Sequence, residues 1–332
     1  MGGELDTNIS DDPLRFALAS FHTTRSIGKL HATSPVADAY NLLDASRRAA
    51  IVMRPEIFPK VYREAARPLA LAARHLVVSG HPLLPEEARS VVEAVTHLLS
   101  ETSPHERKLH APLLEARAIA YRFAGPENTE MHFSGLQQAF ADLLIAIDTR
   151  RTKSNVMAEA QANLELAETL RIYALYLNNR EDAPEFQEAL EFVAFVRNQT
   201  GASPNIDTNP VAVIERATTC ARHAVSTLTP TRDPIGHVRC LIVQAGLLLD
   251  HPDQIPEESS SSALQLANKS IHMLNRTAPP YVLACAYQIR AHALQATEPE
   301  AATRATDAST ALLAKTRMLP IPTPVLRHEL SE

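Results

Sequence analysis

A chain of 332 residues with 38 Asp and Glu against 32 Lys and Arg carries a formal net charge of −6 and a pI near 6.2, which leaves no basic excess for a phosphate backbone and disfavours direct nucleic-acid binding. Aromatics make up 5% of the residues and Trp is absent, so a stacking site for sugars or nucleobases is not favoured. The 45% hydrophobic content comes mostly from Ala, Leu and Val, a composition suited to closely packed helices.

In chain order, Asp12 to about Leu30 predicts one short helix within a partly ordered N-terminal segment, 1–34. Asp12 precedes Pro13, where a helix cap is the ordinary role of Asp, so Asp11-Asp12 is read as a cap and not as half of a metal motif. The opening Met1-Gly2-Gly3-Glu4 lacks the basic and apolar regions of a signal peptide. Amphipathic segments then start near Pro35, Pro55, Pro85, Pro104, Asn128, Asn155, Pro184, Asp207, Asp233, Glu257, Pro279 and Glu298, about 24 residues apart. Proline in a first helical turn costs no hydrogen bond, so these prolines act as punctuation. Pro59, Pro68 and Pro112 fall inside periodic runs, and a kink is expected near Pro68.

Residues 35–206 are expected to form a helical-repeat lobe. Within it, Val156, Ala160, Leu164, Ala167 and Leu170 lie at helical spacing, as do Phe186, Ala189, Leu190, Val193 and Val196. His105 and His110 are five residues apart, about 140° around a helix, where a zinc helix needs its two histidines four apart on one face. No metal or other cofactor is expected. Arg150-Arg151-Thr152-Lys153 reads as a solvated helix end, and the serine run 259–262 as a loop or loose cap. Cys220, Cys240 and Cys285 are an odd number without short paired spacing, and read as buried free thiols of a reducing compartment. No stretch reaches about 18 consecutive apolar residues, and the expected location is the cytoplasm. Strand signals are missing, and only nine glycines serve the whole chain.

The second lobe, 207–320, carries a repeat, and a loose tail, 321–332, follows it. Ala267, Ile271, Leu274 and Pro279 share their spacing with Ala308, Leu312, Lys315 and Pro320, 41 residues later (308 − 267), and Ala217, Ala221, Ala224 and Pro230 form a blurred third copy. Upstream, His237, Val238 and Gln244 match Tyr281, Val282 and Gln288 at an offset of 44 (281 − 237). This pattern resembles the tetratricopeptide repeat, in which a small residue lets two helices approach and a proline ends the second helix. The resemblance implies an all-α fold of antiparallel helix pairs stacked as a right-handed solenoid. The register slips between Ala189 and Ala217, only 28 residues apart (217 − 189), so a plain multi-helix bundle stays open as the alternative.

The sequence holds no Gly-x-x-x-x-Gly-Lys loop, Gly-x-Ser-x-Gly elbow or Gly-x-Gly-x-x-Gly turn, and no catalytic residue is assigned. In a paired-helix solenoid the first helix of each repeat lines the concave face, so His237, Gln244, Tyr281, Gln288 and His292 are expected to be partly exposed along a groove that binds a peptide or protein partner. Two other functions stay open: a regulatory sensor acting in trans on a transcription factor or enzyme, and an all-helical enzyme with a site between lobes.

Overall fold

The computed structural model describes residues 67, 70–71, 73–100, 110–124, 129–178, 209–251, 256–274 and 279–316, which contain helices and no strand. The helices are α1 (Pro85–Ser100), α2 (Ala111–Phe123), α3 (Thr129–Thr152), α4 (Val156–Asn178), α5 (Pro210–Thr227), α6 (Pro234–Asp250), α7 (Pro256–Met273), α8 (Pro280–Leu294) and α9 (Pro299–Thr316). Helical residues 73–78 precede them. The helix starts expected at Pro35, Pro55, Pro104 and Pro184, the kink at Pro68, Pro59, the stripe through Ala189, His105, Asp12 and the tail lie outside the described residues.

Proline and caps set the boundaries. Asn209 accepts from the Val211 N–H at 2.9 Å ahead of Pro210, and Asp233 accepts from the Gly236 N–H at 2.8 Å ahead of Pro234. At the start of α1, Glu87 reaches back to accept from the Leu84 N–H at 2.9 Å, half of a capping box. Pro112 follows the same rule. It lies in the first turn of α2, which begins at Ala111, so it is punctuation and not the mid-run exception its periodic neighbourhood predicts. The helix over 73–78 ends on Gly80 (φ 84°), whose N–H bonds the Val77 carbonyl at 2.9 Å while the His81 N–H bonds that of Leu76 at 2.9 Å. Here only Gly fits: an added Cβ would stand 2.7 Å from a Val282 methyl group and 2.9 Å from the Pro279 ring.

Consecutive helices pack against each other from α1 to α2 and onward to α9. A second set of contacts joins α2 to α4, α4 to α6 and α6 to α8. These even-numbered helices therefore form one contiguous layer, with α3, α5, α7 and α9 packed onto it. Burial follows the layering. Most of α2 and α6 is buried all round, whereas α5 buries one stripe, Val213, Ile214, Ala217, Ala221 and Ala224. In α4 the predicted stripe is buried at Ala160, Leu164, Ala167 and Leu170, and Val156 at the helix start is exposed.

Buried positions also recur between helices. Ala217, Ala221, Ala224 and Leu228 have the spacing of Ala263, Ala267, Ser270 and Leu274, an offset of 46 (263 − 217), and all eight are buried. In α9 the register moves by one from the expected Ala308, which is only half-buried. The close approach is made by Ser309, whose hydroxyl donates to the Ala284 carbonyl at 3.0 Å. The serine run is corrected likewise: Ser259–Ser262 lie within α7, and Ser259 is buried.

Candidate functional site

An apolar layer has no need of charge, yet α2, α4 and α6 each bury several charged side chains. Arg122 of α2 binds both Glu165 and Glu168 of α4. From α6, Arg239 reaches the same two carboxylates: its Nη1 donates to Glu165 Oε1 at 2.9 Å, and its Nη2 to Glu165 Oε2 at 3.1 Å and Glu168 Oε2 at 2.9 Å. Burial opposes ionisation of Glu165, but the Arg239 and Arg122 guanidinium groups outweigh it and hold the carboxyl down at about 2. One turn along α4, Arg171 Nε donates to Asp250 Oδ2 of α6 at 2.6 Å. Its guanidinium lies against Gly246, where an added Cβ would collide with Arg171 Cζ.

A second charged group sits nearer α1. Glu115 binds Arg74 and also accepts from Arg150 Nε at 2.9 Å, and Arg117 holds Asp142 through two bonds of 2.7 and 2.8 Å. Arg150 was expected at a solvated helix end; its side chain is only 15% exposed because Glu115, 1% exposed, draws it inward. Arg151 is the solvated member, paired with Glu159 at 3.0 Å.

Between these helices and the segment around Gly80 lies a cavity of about 90 Å³. Its polar wall is Arg122, Glu168, Arg171, Arg239, Tyr281 and Gln288; its apolar wall includes Phe123, Ile172, Ile242, Val243, Val282 and Ile289. Val77, Gly80 and His81 close one side. Burial, and then the neighbouring His75, lower the pKa of His81 and favour its neutral ring. Arg122 Nε and Arg171 Nη2 are buried without a hydrogen-bond partner. The Tyr281 hydroxyl has no nitrogen or oxygen partner and lies beside the Cys285 thiol.

Of the five residues in the predicted row, the structure brings Tyr281 and Gln288 together in this wall; Gln244 and His292, both half-buried, stand outside it. Two of the five depart from the partial exposure expected of them. Tyr281 is 8% exposed, since Phe123 packs against its ring at 6.4 Å between centroids. His237 is 9% exposed, and its Nδ1 lies 2.7 Å from the Leu228 carbonyl oxygen at the end of α5, which ties the ring to its own fold.

The wall residues Arg122, Glu168, Arg171 and Arg239 were not legible as a site. The available signal was a charge set inside an otherwise apolar helical run, as Arg239 is in the run Val238 to Val243. Among the described residues, no group of three or more His, Cys, Asp or Glu side chains is arranged to hold a metal ion, and no helix is long and apolar enough to cross a membrane. Comparison with protein-family models and with curated proteins gives no match, so the assignment of this chain rests on its fold class, all-α with consecutive helices packed together.

Proposed function

We propose that the protein is a non-catalytic helical-repeat interaction protein of the cytoplasm that binds a peptide or protein partner against the layer formed by α2, α4, α6 and α8. Stacking of the tetratricopeptide kind is part of this reading. It is supported by the serial contacts of the even-numbered helices and by the 46-residue recurrence of buried Ala217 to Leu228 at Ala263 to Leu274. The three cysteines, all free, suit a reducing compartment.

One observation carries the binding reading: the layer already grips a piece of chain. Arg239 Nη1 donates to the Val77 main-chain carbonyl at 3.2 Å, Arg74 binds Glu115, and Gly80 is seated against Ile235, Pro279 and Val282. A cation on a carbonyl and apolar contact beside it are the means by which a groove holds a peptide whatever its sequence. A partner segment would be held in the same way beside residues 73–83 or in their place, with Gln244 and Gln288 supplying amides.

The test is selection of a random-peptide library on the full chain. Enriched peptides should bind Gln244→Ala/Gln288→Ala roughly tenfold more weakly, about 1.4 kcal/mol, while the melting temperature stays within a degree or two. No enrichment, or undiminished binding by the folded variant, refutes the reading.

A further inference from the structure

The cavity carries an inference that does not depend on peptide binding. Charged side chains form part of its wall, but their polar atoms are spent inside the protein. Arg122 and Arg239 hold Glu165 and Glu168, Arg239 also holds the Val77 carbonyl, and Arg171 holds Asp250. The Tyr281 hydroxyl donates to the Cys285 sulfur. Arg122 Nε, Arg171 Nη2 and the Tyr281 oxygen are themselves buried and do not face the space.

What remains for an occupant to touch is mainly hydrocarbon: Phe123 of α2, Ile172 of α4, Ile242 and Val243 of α6, and Val282 and Ile289 of α8. All six are buried, whereas the half-buried members of the wall, His81, Glu168, Arg171, Cys285 and Gln288, mark its open side. Water is a poor filling for the hydrocarbon part, because an ordered water needs about two to four polar partners. Leaving the space empty also costs stability, since the atoms lining a void lose their contacts and interiors keep few voids larger than a water. An apolar group meets both conditions.

Size narrows the class. An apolar cavity of about 150 Å³ takes the ring of benzene, so a cavity of about 90 Å³ takes about four carbons. We propose that this cavity is a binding site for a short aliphatic group of about four carbons, carried by a small neutral molecule or by the side chain of a Leu or Ile in a peptide. The group enters past the half-buried side and packs between α4, α6 and α8, and the polar part of its carrier stays at the opening beside Glu168, Arg171 and Gln288.

Methyl NMR on the full chain, with Ile and Val methyl groups labelled, tests this with two carriers of one isobutyl group, 3-methyl-1-butanol and N-acetyl-leucinamide. Ethanol and N-acetyl-alaninamide are the matching carriers that lack it. The methyl signals of Ile172, Ile242, Val243, Val282 and Ile289 should shift and saturate with a Kd on the order of 10 mM or tighter. Each shortened carrier should bind at least about tenfold more weakly, since each buried carbon changes affinity about fourfold. The isobutyl carrier that binds more tightly names the source: the alcohol a free small molecule, the capped residue a peptide side chain. Val243→Phe fills the space and should abolish the shifts. Should that variant not fold, Ile289→Ala reads the same property, because the enlarged space should take cyclohexylmethanol at least about tenfold more tightly than the native chain does. Absence of a saturable shift with both isobutyl carriers would mean that the cavity holds water only and would overturn the proposal. So would shortened carriers that bind as tightly, undiminished binding by folded Val243→Phe, or a cyclohexylmethanol affinity that Ile289→Ala leaves unchanged.

Discussion

Arg239 is the residue on which the inner layer turns, and Arg239→Met is the substitution that weighs it. The change keeps most of the side-chain volume but removes three charge-assisted bonds to Glu165 and Glu168 and one to the Val77 carbonyl. Glu165, 2% exposed, then keeps Arg122 alone. Breaking a buried ion pair from one side costs about 3–5 kcal/mol, because the surviving charge stays buried. With a urea slope of about 3 kcal/mol per M, the unfolding midpoint should fall by roughly 1–1.7 M. Acid supplies an independent reading. The Glu165 carboxyl titrates at about 2 in the folded chain against 4.5 in its ordinary state. A depressed acid stabilises the fold above its unfolded pKa. That contribution, about 3 kcal/mol, is present above about pH 4.5 and is lost as pH falls toward 2. In Arg239→Met the folded pKa moves up toward 4.5, so this acid-dependent part of the stability shrinks. Adding Glu165→Gln to Arg239→Met should cost less than the two separate losses together, by about 1–3 kcal/mol. Urea melts between pH 3 and 7 measure all of this. A loss under about 1 kcal/mol for Arg239→Met, or strict additivity in the double variant, would show that water already screens the network and that the argument from burial is wrong.

Two further outcomes follow from packing and burial. Ala221→Leu and Ala267→Leu each force a large side chain into a fully buried helix contact and should cost about 1–3 kcal/mol; unchanged thermal melts in both would place these faces in solvent. Burial pushes the Cys240 thiol up to about 12, so at pH 8 it should react slowly with a disulfide reagent in the native chain and quickly in denaturant, and rapid native labelling would contradict its burial.

The helix boundaries were legible because short polar caps and prolines act locally: Pro85, Asn155, Asp233 and Glu298 fall within a residue of the observed starts. Ala217, Ala221 and Ala267 were legible as contact positions for the same local reason, since a small residue on a helical stripe marks a close approach. In α9 that rule could not separate Ala308 from Ser309, which are both small and adjacent, and a hydrogen bond to Ala284 decides between them. The ionic layer was hidden for a different reason. Arg122 and Glu165 are 43 residues apart and Arg239 and Glu165 are 74 apart, so no local window contains a pair. Arg150 escapes a local reading on the same account, because a cation in a last helical turn looks solvated until Glu115, 35 residues away, is brought to it.

That layer does something the apolar contacts cannot. Stripes of Ala and Leu fit a neighbouring helix nearly as well after a slip of one turn, about 5.4 Å, since successive turns present similar small faces. A fork of Arg239 on both oxygens of Glu165, with Arg122 closing from the opposite helix, admits one setting. Sliding α4 by a turn would carry Glu165 away from both cations and leave a buried carboxylate unpaired, at a cost of several kcal/mol. Polar pairing therefore selects the register that hydrophobic burial leaves degenerate. Arg122, Glu168, Arg171 and Arg239 also line the cavity. The residues that fix how α2, α4 and α6 stack are thus the ones that supply the cavity with its polar end.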